Sequence, residues 1–117
     1  MLKELAAAGY VVIATPFKLR FDYLALCDQI LTDFEPAYEV VDREYRSARG
    51  ESLPLLGVGH SAGCLMHSLI CSAFVGAGGV ASVPRRANAF LSFNNKKASD
   101  AIPLFEQVLA CAVFARA

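Results

Sequence analysis

Apolar and polar positions change period several times along the chain, and each change marks an element. LKELAAA (2–8) runs at helical spacing up to Gly9, which stands where a helix-ending glycine belongs. YVVIAT (10–15) is β-branched and continuously apolar, the pattern of a buried strand, and Pro16 is expected to stop it. Leu24, Cys27, Leu31, Phe34, Tyr38, Val41 and Tyr45 then recur at steps of three and four, one stripe along a long helical stretch with Asp22 placed to cap it. Pro36 interrupts the stripe, so a kink or two helices is predicted, with Thr32 and Glu35 at capping-box spacing for the second piece and Gly50 ending it. LPLLGVGH (53–60) reads as a second buried strand. Ala62, Leu65, Met66, Leu69, Ile70, Ala73 and Phe74 return to helical spacing. GAGG (76–79) is a loop, NAFLSF (88–93) a third strand and NNKKAS a polar turn. Ser99 or Asp100 is placed to cap a last helix, with Ile102, Phe105, Leu109 and Ala112 on its stripe.

Strands that alternate with helices imply an α/β fold, a parallel sheet joined by right-handed crossovers with helices on both faces. In such sheets chemistry gathers at the carboxyl ends of the strands. Three polar clusters fall there: Thr15-Pro16-Phe17 and Asn94-Asn95, which are the candidate pocket edges, and Gly59-His60-Ser61, which with Gly63 forms the candidate elbow.

Composition narrows the class. At 117 residues the chain is one domain, and 56% hydrophobic residues with 19% charged make it too apolar for a disordered chain. Eleven basic residues balance eleven acidic ones, which leaves no electrostatic footprint for nucleic acid. Arg85-Arg86 and Lys96-Lys97 read as a solvated rim rather than a binding patch. Residues 52–84 carry no Asp, Glu, Lys or Arg, but glycines, prolines and a change of period within that run argue against a membrane span. The N-terminal decapeptide lacks the long apolar core of a signal peptide. Cysteines 27, 64, 71 and 111 form no CxxC pair and no zinc-like spacing with histidine, so no metal or cofactor is expected and a reducing compartment fits.

Gly59-His60-Ser61-Ala62-Gly63 matches G-x-S-x-G between a predicted strand and a predicted helix. A serine on so sharp a turn has a strained backbone, and side chains two residues to either side would collide. Glycine at both places removes the collision. In this reading Ser61 is the nucleophile, and the Ala62 backbone N–H, at a helix N-terminus, points at a developing oxyanion. A base is harder to find. His60 directly precedes Ser61 and is placed to shape the pocket wall. His67 lies six residues on, falls away from Ser61, and reads as structural or surface. Asp100 is the acid candidate on the correct side, with helix capping as its plainer role.

Taken together, GYVVIATPF, GVGHSAG with LMHSLICS, and NAFLSFNNKKASDAIPLFEQV resemble the Domain of Unknown Function 1350 family within the α/β-hydrolase superfamily. The resemblance covers about residues 9–109 and leaves ACAVFARA as a tail that stands apart. It implies a truncated three-layer αβα fold, a serine hydrolase-like parent acting on an ester, thioester or amide, and a plastid location, with a cytoplasmic one otherwise. It also implies a deficit. The Gly-rich oxyanion loop, the acid and the histidine of such an enzyme are expected outside this section, so the chain itself is expected to be inactive, a partial product of marginal stability. A non-catalytic binding or assembly protein on the same fold is the alternative. The superfamily sheet also places an upstream strand between the strands at 10–15 and 55–60. Without it those two must pair directly or leave an open edge suited to self-association.

Overall fold

The computed structural model describes residues 1–18, 20–93 and 109–116. In chain order its elements are α1 (Leu2–Ala7), β1 (Tyr10–Phe17), α2 (Tyr23–Arg49), β2 (Leu55–His60), α3 (Ala62–Ala73), a 3₁₀ turn (Gly79–Ser82), β3 (Arg85–Leu91) and β4 (Leu109–Arg116). Several local signals act where the sequence placed them. Asp22 caps α2 through a hydrogen bond from the Ala25 N–H (2.9 Å), and Gly50 closes it in the left-handed conformation. The predicted second and third strands and the helix from Ala62 are present, with β3 three residues earlier at its start than NAFLSF and ending at Leu91.

Helix α2 departs from the expected break. It runs unbroken through Pro36, and Thr32 turns its hydroxyl back onto the Asp28 carbonyl (2.9 Å). The proline removes one ladder hydrogen bond. Burial along the whole helix offsets that, because Leu26, Cys27, Ile30, Leu31, Phe34 and Tyr38 all enter one core with Leu53, Leu55, Met66 and Ile70. The buried stripe is rotated from the predicted one, since Leu24 is exposed while Leu26 and Ile30 are inside.

The sheet has the order β1-β4-β2-β3. Only β2 and β3 pair in parallel; β4 runs antiparallel to both β1 and β2, with Ile13 opposite Val113 and Val113 opposite Gly57. The sheet is therefore mixed, and two expectations are corrected. Leu109 and Ala112 lie on a strand, not on a helix stripe. β1 and β2 neither pair directly nor stay open, because β4 fills the slot between them. An apolar run such as LACAVFAR suits a helix or a buried strand by periodicity alone. Two unpaired strand edges with unsatisfied backbone groups decide it for the strand. Ser99, Asp100 and the helix they were to cap lie outside the described residues.

Helices α2 and α3 touch each other, with the Cys27 thiol against Met66, and share one side of the sheet. β1 gives that side Thr15 and Phe17, both buried, and β2 gives it Leu55, Gly57 and Gly59. Among the described residues, the opposite side meets only the short α1, near Leu5, Leu56 and Val58. Helices on both faces in three full layers are thus not what the described residues form. β1 also runs through Pro16 rather than stopping before it. An edge strand tolerates a proline, because one of its sides has no ladder hydrogen bonds to lose. No helix among the described residues is long and apolar enough to cross a membrane.

Candidate functional site

Strand β2 delivers Ser61 to a sharp turn that opens α3. Its backbone stands at φ 54°, ψ −120°, a conformation that L side chains rarely adopt, and it is half-buried. Gly59 makes the turn possible. A Cβ there would lie 2.6–2.7 Å from backbone atoms of Gly63 and Cys64, which cannot swing aside as a side chain could. The turn is tied to the neighbouring strand. The Leu91 carbonyl of β3 accepts from the Ser61 N–H (3.0 Å) and from the Cys64 thiol (3.4 Å). Inside the turn, the Cys64 N–H donates to the Ser61 carbonyl (3.1 Å). Ala62 is the first helical residue, a position whose N–H has no carbonyl four residues back to bond within the helix. Gly63 is buried, and His60 is exposed at the end of β2.

The second histidine is committed elsewhere. His67 is fully buried on α3, its Nε2 3.2 Å from the Val58 carbonyl, and it packs against Gly57, where a Cβ would lie 3.0 Å from its Nδ1. It braces the helix on the strand, in line with the structural reading of it. Among the candidate pocket edges, Thr15 (4% exposed) and Phe17 (6%) are core residues beneath α2, and Pro16 between them is exposed. As pocket-edge residues Thr15 and Phe17 are corrected, because the pleat of β1 turns them to the helix side. Asn94, Asn95 and Asp100 lie outside the described residues.

The cysteines differ in setting. Cys27 is fully buried, and burial pushes its thiol up to about 11. Cys64 is buried at the turn. Cys71 is half-buried and accepts from the Arg85 guanidinium and the Asn88 amide (3.4 Å each), so Arg85 is not a freely solvated rim charge. Among the described residues no three His, Cys, Asp or Glu side chains gather as metal ligands.

Two features escape a reading of the pattern. Asp42 sits on the buried face of α2, 7% exposed, and reaches across to the chain entering β2. It accepts from the Leu53 N–H (2.7 Å) and from Arg46 (2.5 Å). Burial pushes its carboxyl up. The hydrogen bonds from Leu53 and Arg46, the Arg46 charge and the Tyr38 hydroxyl outweigh that and hold it below the ordinary carboxylate range. The signal in the sequence is an acid one turn after Tyr38 on an apolar stripe. The second feature is Ser92, in the left-handed region at φ 50° just after β3, beside an exposed stack of Phe90 and Phe93. Its signal is a serine set between apolar residues directly before a polar turn.

A family described as "Protein of unknown function (DUF1350)" matches the chain over residues 1–115. No curated protein and no solved structure matches it.

Proposed function

The chain belongs to the DUF1350 family, whose function is unknown, and we propose that it carries the nucleophile turn of a serine hydrolase-like protein of the α/β-hydrolase kind. One observation carries this reading: Ser61 is held at positive φ between a strand and a helix, with a glycine two residues before it where no Cβ fits. Strain of this sort persists where the surrounding structure enforces it, and it clusters at functional sites. On an acyl substrate the Ser61 oxygen attacks the carbonyl carbon, and the Ala62 N–H, aided by the α3 N-terminus, stabilises the oxyanion.

The same residues argue for weak turnover by this chain alone. Of its two histidines, His67 is buried against the Val58 carbonyl and His60 leaves the backbone immediately before Ser61. Neither has the place of a general base, and a lone nucleophile with one oxyanion donor keeps only a small part of a triad's acceleration. This favours a second reading as well, in which the hydrolase-like turn is retained in a binding or assembly protein. Plastid location and an acyl substrate remain part of the proposal through the family resemblance.

Hydrolysis of aryl esters by purified chain and by Ser61→Ala tests the deficit. Equal steady-state rates are expected, since an acyl group placed once on Ser61 has no base to activate the water that would release it. A Ser61-dependent rate well above the variant would show that a base is in place and would overturn this part of the proposal.

A further inference from the structure

The end of β3 carries a second strained serine beside the first. Register sets His60 of β2 opposite Leu91 of β3, about 4.8 Å away at one strand spacing, and Ser61 and Ser92 are the next residue on each chain as it leaves the sheet. They are the two non-glycine residues with positive φ among those described, at 54° and 50°. The strain at Ser61 belongs to the turn. The strain at Ser92 has a different product. Along an extended strand, residues 90 and 93 project to opposite faces, about 10 Å apart. Positive φ at Ser92 folds the chain back, and the Phe90 and Phe93 rings stack with centroids 5.9 Å apart.

The stack faces outward. Phe90 is 42% exposed, Leu91 43% and Phe93 49%. The two rings beside the Ser61 turn form an apolar patch, in a run from Ala87 to Phe93 that carries no charged residue, and Leu91 projects to the other face of the strand. The Leu91 carbonyl is also taken, by the Ser61 N–H and the Cys64 thiol. Among the described residues, a ligand group lying here therefore meets aromatic faces, and the Leu91 carbonyl offers it no free acceptor. We propose that the Phe90–Phe93 stack is the apolar subsite for the acyl group of the Ser61 substrate, selecting esters or thioesters of medium to long acyl chains over short ones. Ser92 is the positioning residue that builds it. This rests on the reading of Ser61 as a nucleophile. In the reaction the Ser61 oxygen bonds the acyl carbon, the bond from that carbon to the ester oxygen or thioester sulfur breaks, and the leaving group departs with the hydroxyl proton.

Two measurements on the full chain separate the subsite from the nucleophile. In the first, decanoate and acetate are titrated while the ring resonances of Phe90 and Phe93 are followed by NMR. Decanoate is expected to move both, acetate neither, and Phe93→Ala to weaken decanoate binding about tenfold. Ser92→Gly, which keeps the positive φ, is expected to bind as the parent does. Ser92→Val, which cannot keep it, should lose binding although both rings remain. In the second, Ser61 labelling by decyl and methyl fluorophosphonates is compared, with the decyl probe expected to react about tenfold faster and Phe93→Ala to erase the difference. Decanoate binding at the rings with no labelling of Ser61 by either probe would remove the nucleophile and leave the subsite standing. Rings that respond alike to decanoate and acetate, or a chain-length preference unchanged in Phe93→Ala, would overturn the subsite.

Discussion

The chain entering β2 at Leu53 and leaving it at Ser61 is held by opposite means at the two ends. At the entry, the backbone of Leu53 is relaxed and its N–H is bound by a buried carboxylate, Asp42, which Arg46 and Tyr38 also engage. At the exit, Ser61 is held in a conformation that its own side chain disfavours, fixed by Gly59 and by the Leu91 carbonyl. The entry is built of favourable polar contacts and has no free reactive group. The exit costs stability and presents a hydroxyl at a helix N-terminus. The difference separates a residue kept for the fold from one kept at the expense of the fold, and substitutions at the two ends should sort accordingly.

The largest effect is expected at Gly59. Gly59→Ala puts a methyl into the backbone of Gly63 and Cys64 and should destabilise the chain by about 3 kcal/mol or more, measured by denaturant unfolding. A loss below about 1 kcal/mol would mean that the turn is slack. At the entry, Asp42→Ala leaves the buried Leu53 N–H without its acceptor and should cost about 2 kcal/mol. The exit should respond with the opposite sign. Ser61→Gly relieves the positive φ and is expected to stabilise by about 1 kcal/mol, a rise in Tm of several degrees. If Ser61→Gly instead destabilises, the contrast between the two ends fails.

The smallest effects are pH-dependent. The Asp42 carboxyl lies below its unfolded value in the folded chain, so its contribution is whole above the ordinary carboxylate range and is lost as pH falls through the folded value. Asp42→Asn should flatten that acid limb in unfolding experiments across pH. Cys27 acts at the alkaline end. Its thiol is raised from 9.0 to about 11, so the stability linked to it is whole below about 9 and is lost as pH rises to about 11. Cys27→Ala should remove that loss, and a variant with an unchanged alkaline limb would discount it.

Much of this frame is legible in the residues. The capped start and glycine end of α2, the buried β2 and the helix from Ala62 follow from period and punctuation, because each depends on neighbours within a few positions. The turn at Ser61 is legible for the same reason, since the glycine at 59 is demanded by a collision two turns of chain away at most. What the residues hide is decided at long range. LACAVFAR becomes β4 because β1 and β2 leave a slot between them, and no local feature records that slot. Pro36 sits inside α2 because the buried stripe outweighs one lost hydrogen bond. Thr15 and Phe17 are core rather than rim because β1 continues past Pro16 and its pleat turns them under α2. Asp42 looks like a surface acid until the chain entering β2 is laid against it.

The measurement that bears most directly on the central claim is covalent labelling by a fluorophosphonate, with the modified residue mapped by peptide mass analysis. The turn at Ser61 predicts modification of that serine above the chain's other serines, and its loss in Ser61→Ala. Labelling spread evenly over the serines, or unchanged in Ser61→Ala, would contradict a nucleophile at this site and leave the turn to a binding protein.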